Sequence, residues 1–269
     1  MVIDFHTHIY PEKIAAKAVA NIGEFYNSPM QGNGTAEGLL ESGRRSNSPL
    51  FKGSAFGGIE RFVVFSAAAV PAQVQAINDY IASACREHSQ FSGFGTLHKD
   101  MEDPQAEIDR IISLGLKGVK FHPDMQRFNI DDDEMMNIYA ALEGRLWVIF
   151  HTGDYRHDFS HPSRLARVLD NFPKLQVVAA HFGGWSVSDI AFDYFIKRSC
   201  FFDVSSSLPF IGKNRAAEFI HTYGAQRFLF GSDYPMWDPA ACLNEFLELD
   251  LSYNEKEMIL WKNAEEILG

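Results

Sequence analysis

The chain has little cysteine: three residues, Cys85, Cys200 and Cys242, in 269, odd in number and widely spaced. No C-x-x-C pair occurs, so neither a disulfide framework nor a zinc ribbon is indicated, and a reducing compartment suits such a sequence. Positive charge is also short. Twenty-four Lys and Arg face 35 Asp and Glu, a formal net charge of -11, which opposes nonspecific attraction to nucleic acid or to an anionic membrane surface. Long apolar runs are missing as well. No stretch approaches the roughly 20 residues of a membrane helix, and the N-terminus shows no basic region followed by an apolar one. The expectation is a soluble, unexported, cytoplasmic protein that takes a small-molecule partner and binds neither nucleic acid nor membrane.

With 46% hydrophobic and 22% charged residues, the composition is that of an ordinary globular domain. Eight apolar segments read as buried strands: 2-6, 61-66, 91-96, 116-122, 146-151, 175-181, 201-206 and 227-233. Amphipathic spacing predicts helices between them, at 72-88, 103-115, 162-172 and 214-224. One of these is punctuated by Asp103 as N-cap, Pro104 at the first helical position and Gly115 past the end. Near-continuous apolar strands alternating with helices imply a parallel sheet covered by helices, and eight units match a closed (β/α)8 barrel, a TIM barrel. An open doubly wound sheet is the alternative, disfavoured because no glycine-rich phosphate turn follows the first strand. The segment from Ser252 to the end reads as one or two amphipathic helices. The whole of 1-269 is assigned to one domain, interrupted by residues 27-58, which are rich in Gly, Ser and Asn and poor in periodicity. A loop of that length is a substrate-covering lid or a passive insertion. Its Phe51 and Phe56 supply exposed apolar surface that could meet a second copy in a homodimer.

Polar residues gather where the apolar strands run out. His6 and His8 close the first; Lys120 and His122 the fourth, His151 the fifth, His181 the sixth and Asp233 the eighth. In a strand, residues two apart share a face, so His6 and His8 can hold one ion together, and Lys120 and His122 also point one way. A barrel brings all these ends to one mouth. Each residue has a bland role too: His122, before Pro123, suits a turn cap, and Asp233 in GSDYP suits an N-cap or turn. Together they suit a divalent cation, because three neutral imidazoles and a carboxylate fill most of a first shell and leave a place for water. Water there loses its proton near neutral pH. A further histidine such as His181 is then free to orient or deprotonate it, and Asp233 to accept a proton.

H-x-H after the first strand, HTG after the fifth, AHxGG after the sixth and GSDxP after the eighth resemble the amidohydrolase superfamily. More narrowly, the chain is similar to the amidohydrolase-related branch that holds aminocarboxymuconate semialdehyde decarboxylase and γ-resorcylate decarboxylase beside true hydrolases. The resemblance implies His6, His8, His151 and Asp233 as ligands of one metal ion and His181 as the catalytic histidine. The ion expected is Zn²⁺, with Mn, Fe or Co as alternatives. Lys120 corresponds to a lysine that some members carboxylate to bridge two metals, so a second metal at Lys120 and His122 is the minority expectation, and substrate binding the other role for that pair. The reaction expected is attack by metal-bound hydroxide on an amide, ester or lactone of a small, carboxylated molecule. Nonoxidative decarboxylation is the first alternative and a noncatalytic metal- or ligand-binding barrel the second. Arg44, Arg45 or Arg156 clamping a carboxylate would favour decarboxylation.

Overall fold

The computed structural model describes residues 1-47 and 56-269. Two compact units are seen, one of Met1–Val64, Ala84–Ser92 and Val204–Gly269, the other of Phe65–Ser83 and Gly93–Asp203.

The first unit holds strand β1 (Val2–His8), which is bonded to β2 (Ile59–Phe65), itself bonded to β3 (Phe91–Gly93). On its other side, β1 meets the segment around β9 (Phe228–Leu229): the Phe5 N–H donates to the Phe230 carbonyl at 2.7 Å, and the His8 N–H to that of Tyr234 at 2.7 Å. Asp4 lies fully buried in β1 and accepts the N–H groups of His6 (3.2 Å) and Ser232 (2.9 Å), so one carboxylate ties the strand to the neighbouring turn. The helices of this unit are α1 (Glu12–Tyr26), α2 (Ala36–Ser46), α9 (Leu208–Tyr223), α10 (Pro239–Leu247), α11 (Tyr253–Glu257) and α12 (Asn263–Leu268).

Helix α2 corrects the reading of 27-58 as structureless. Thr35 caps it, its hydroxyl accepting the Gly38 N–H at 3.0 Å, and Leu39 and Leu40 are buried. Two internal glycines and serines hid it, because they lower helix propensity while packing overrides it. Gly43 serves close approach, since a Cβ there would lie 2.5 Å from Phe62. Phe56 is not exposed surface but is buried, with its ring stacked on Tyr253 at 4.7 Å. Phe51 lies outside the described residues.

The second unit is a parallel sheet of β4 (Gly95–Thr96), β5 (Gly118–Phe121), β6 (Trp147–Phe150), β7 (Val177–Ala179) and β8 (Phe201–Asp203). The predicted strand 91-96 is broken at Phe94 and contributes to both units as β3 and β4. Its helices are α4 (Pro104–Ser113), α5 (Pro123–Gln126), α6 (Asp133–Leu142), α7 (Pro162–Asn171) and α8 (Ser188–Phe195), while α3 (Val74–Glu87) spans the boundary between the units. Asp103 caps α4 as predicted, accepting the Ala106 N–H at 2.9 Å, and Gly115 ends the turn with φ of +77°. Asn78 of α3 grips β4 twice, donating to the Thr96 carbonyl (3.1 Å) and accepting the Thr96 N–H (2.7 Å), and also donates to buried Glu107 at 2.6 Å.

Strand alternation decides which side chains face the site. Phe121 and Phe150 stack at 5.5 Å with Tyr139 of α6 against both, so they point toward the helices. Lys120, His122 and His151 therefore occupy the opposite face of the sheet.

Candidate active site

In the first unit, β1 places His6 and His8 on one face, and the turn after β9 brings Asp233 to them. Both imidazole Nε2 atoms lie 3.5 Å from the same oxygen, Asp233 Oδ1, and the three side chains are 1, 12 and 13% exposed. The backbone enforces this. Asp233 donates its N–H to the His6 carbonyl at 2.8 Å, and it takes φ of +65°, a region uncommon for non-glycine residues. Gly231 is required nearby, because a Cβ there would sit 2.8 Å from the His6 Cβ. The other oxygen, Asp233 Oδ2, accepts the Ser206 hydroxyl at 2.6 Å, and the Trp237 indole N–H donates to that hydroxyl at 2.9 Å.

The donor spacing fits a cation. Ligands at about 2.1 Å from a tetrahedral ion stand about 3.4 Å apart, close to the 3.5 Å found for each imidazole against Asp233. The three donors belong to one potential ligand group.

In the second unit, the parallel strands present their polar ends along one edge. His151 follows β6 and His181 follows β7; His151 Nδ1 is 3.1 Å from His181 Nε2, so one imidazole donates to the other. His181, Phe182 and Gly183 have successive positive φ values of 61, 55 and 76°. Strain of this kind persists only where the surroundings over-determine it. Here the His181 N–H is held by buried Asp203 at 3.1 Å, and the ring's Nδ1 is 3.9 Å from the same carboxylate. Gly153 makes the opposite loop possible, since a Cβ there would lie 2.4 Å from the Gly184 Cα.

His122 does cap a turn. Its Nδ1 accepts the Met125 N–H at 3.3 Å, which leaves the proton of the neutral ring on Nε2, and the ring lies parallel to His151 at 4.1 Å. Asp124 stands beside them, with Oδ2 3.6 Å from His151 Nε2 and accepting the Ser160 hydroxyl at 2.6 Å. Burial pushes its carboxyl up to about 6 against the opposing pull of that hydroxyl. His122, Asp124 and His151 form a second potential ligand group. Lys120 is fully buried, its Nζ 5.1 Å from the Phe65 ring centroid.

The three arginines are each engaged with a carboxylate. Arg44 donates to Glu37 at 2.6 Å, and Arg45 to Asp238 and, at 2.7 Å, to Ser42. Arg156 straps Asp154 through contacts of 2.9, 3.2 and 2.6 Å with its guanidinium 5.5 Å from the Trp185 ring centroid. Asp124, Asp203 and Ser206 were missed from sequence. Asp203 and Ser206 lie in FFDVSS, whose polar end obeys the rule that singled out the other strand ends; Asp124 lies in the first turn of the short helix α5 and carried no such signal.

This chain belongs to the amidohydrolase family, whose model matches residues 3–269. Among solved structures, an uncharacterized TIM-barrel protein from Bordetella bronchiseptica is 22% identical, with a TM-score of 0.78, covering 99% of this chain and 98% of its own. A probable 2-pyrone-4,6-dicarboxylic acid hydrolase from Acinetobacter baumannii, with citric acid bound, is 15% identical at a TM-score of 0.70, covering 100 and 99%. A dihydroxybenzoic acid decarboxylase from Polaromonas sp. JS666, with bound manganese and the inhibitor 2-nitroresorcinol, is 16% identical at 0.70, covering 99 and 96%. The fold is the (β/α)8 barrel expected from the strand count. Among the described residues, no helix is long and apolar enough to cross a membrane.

Proposed function

We propose that this chain is a metal-dependent hydrolase that cleaves an amide, ester or lactone of a small, carboxylated molecule. The observation that carries the metal part is the convergence of a buried and a half-buried imidazole, His6 and His8, on one oxygen of Asp233 at ion-ligand spacing. His6, His8 and Asp233 would hold the ion, and the family resemblance adds His151. When bound, a divalent ion supplies Lewis acidity and acidifies a water in its open position. The remaining chemistry belongs to the protein. Asp233 offers a carboxylate able to take a proton, and His181, with its backbone pinned by Asp203 and its ring paired with His151, is built to give or receive one without reorienting. The net charge of -11 suits a small substrate over a polyanion.

Hydrolysis is placed first because the arginines that would clamp a carboxylate beside an unsaturated ring are each engaged by Glu37, Asp238 or Asp154. Decarboxylation is the second reading. It is favoured by the likeness to a manganese-bound decarboxylase, which also sets Mn²⁺ beside Zn²⁺ as the ion to test. Incubation of metal-loaded protein with lactones, esters and amides of carboxylic acids, and in parallel with carboxylated phenols, separates the two. Acid release without CO₂ supports hydrolysis. CO₂ release from the phenols, with no hydrolysis, overturns it, and equal turnover by chelator-stripped protein overturns the metal centre.

A further inference from the structure

We infer that Ser206 and Trp237 are positioning residues that make Asp233 a one-oxygen ligand, with Oδ1 given to the cation and Oδ2 withheld. This rests on the metal reading above.

The direction of the hydrogen bonds is forced. An indole N–H is a donor only, so at 2.9 Å from Trp237 Nε1 the Ser206 oxygen must accept. The serine's single hydrogen is then left for one acceptor. Two lie near it, Asp233 Oδ2 at 2.6 Å and the Met236 sulfur at 3.7 Å. The closer, charged oxygen wins, because hydrogen bonds to ionised acceptors are short and about twice as strong as neutral ones. The chain therefore runs from Trp237 through Ser206 to Asp233, and it points one way. Oδ1 remains toward His6 and His8, each 3.5 Å away.

The backbone has been bent to make this chain. Ser206 takes φ of +57° and Asp233 +65°, a conformation that strains a residue with a Cβ and is kept only where something holds it. Trp237 in turn is anchored by the start of α10, where Asp238 accepts the Ala241 N–H at 3.0 Å and its own N–H is bonded to Gln31 at 2.9 Å. The indole thus comes from a fixed helix entry and the serine from the loop after β8. Two elements distant in sequence meet at the Ser206 hydroxyl, which passes the contact on to one carboxylate oxygen.

A carboxylate with both oxygens available can swing to grip a cation with both. One whose second oxygen is held by an oriented hydroxyl cannot, and a position on the cation stays open for water or substrate. Groups that orient ligands in this way typically change metal affinity by 10–100-fold when removed.

The test compares wild type, Ser206→Ala, Trp237→Phe, the double variant and His8→Ala, each stripped and titrated with Zn²⁺ against a chromophoric chelator, then loaded with Co²⁺ for visible absorption. The expected result is an affinity loss of roughly 10-fold or more in Ser206→Ala, a smaller loss in Trp237→Phe, and no further loss when Trp237→Phe is added to Ser206→Ala. The Co²⁺ bands should weaken in Ser206→Ala as the coordination number rises, a signature that mere destabilisation would not produce. Unchanged affinity and unchanged Co²⁺ bands in Ser206→Ala overturn the inference while leaving the metal reading intact, provided His8→Ala loses the ion. A wild type that binds no ion overturns both. Should Ser206→Ala fail to fold, Trp237→Phe decides: lowered affinity with altered Co²⁺ bands supports the chain, and wild-type behaviour refutes it.

Discussion

Removing the Asp4 carboxylate should damage both stability and metal affinity, although Asp4 is no ligand in this reading. The side chain is fully buried, and one of its oxygens accepts two backbone N–H groups, from His6 at 3.2 Å and from Ser232 at 2.9 Å. Asp4→Ala leaves both donors buried without that acceptor, at about 1–3 kcal/mol each, so roughly 2–6 kcal/mol is expected. That is a large share of a typical 5–15 kcal/mol. Asp4→Asn keeps a carbonyl oxygen that can accept the same two bonds, so its cost should be smaller than that of Asp4→Ala. The two donors belong to or adjoin proposed ligands, His6 itself and the residue before Asp233, hence metal affinity should fall in the same order, Ala worse than Asn. Urea unfolding of stripped protein gives the first quantity, and chelator competition the second. If Asp4→Ala unfolds within about 1 kcal/mol of wild type, the claim that this carboxylate ties β1 to the metal-side turn is wrong.

Gly231→Ala would put a Cβ 2.8 Å from that of His6; we expect about 1–3 kcal/mol of overpacking and weakened metal binding, measured by the same two assays. His181→Ala should keep the ion and lose most turnover, whereas His6→Ala and His8→Ala should lose the ion; metal analysis showing the reverse would exchange their roles. Asp131 is partly buried, which raises its carboxyl, but the guanidinium groups of Arg164 and Arg167 outweigh this and hold it below its ordinary value. Its pairing therefore stabilises the fold above about pH 4 and is lost as pH falls through the lowered value; Asp131→Asn should cost about 1 kcal/mol at neutral pH, with the difference vanishing in acid unfolding curves. Burial pushes the Cys85 thiol up to about 11 and that of Cys242 well above its usual range, so alkylation near pH 8 should be slow in folded protein and fast in urea.

What could be read in the sequence is what local chemistry writes there. The strand β1 with His6 and His8, the capped helix α4 and the polar ends of β5, β6 and β7 all stand where apolar runs and punctuation put them. Strand lengths were overstated: the segment 227-233 is β9 at Phe228–Leu229 followed by a turn, because an apolar run looks alike whether it bonds as a ladder or bends to deliver Asp233. Helix α2 was unreadable for the opposite reason, its glycine and serine content concealing an element that packing stabilises. Helices α6, α8 and α10 drew no prediction either, being segments of eight to ten residues between stronger signals, nor did the longer α1, which buries only Ala15.

The groups that sequence reading missed share one property. Asp124, Asp203 and Ser206 act on other side chains or on backbone, through partners 36, 22 and 27 residues away, and no local pattern records a hydrogen bond to a distant residue. Ligand candidates announce themselves because imidazoles are rare at the ends of apolar strands; a serine at a strand end is commonplace. The positive φ values at Ser206 and Asp233 supply the missing discrimination, since a serine with no role there would relax to an ordinary conformation. Backbone strain at a non-glycine residue is thus the more informative guide to the supporting groups, and residue type to the ligands. Applied to the second unit, the same criterion singles out His181 and Phe182, both with positive φ, and it predicts that Phe182→Gly, which relieves the strain but empties a buried ring site at about 3–5 kcal/mol, should destabilise the fold and, in the protein that remains folded, loosen His181 and lower kcat more than substrate affinity. A Phe182→Gly variant with wild-type kcat would show that the strained turn does nothing for the reaction.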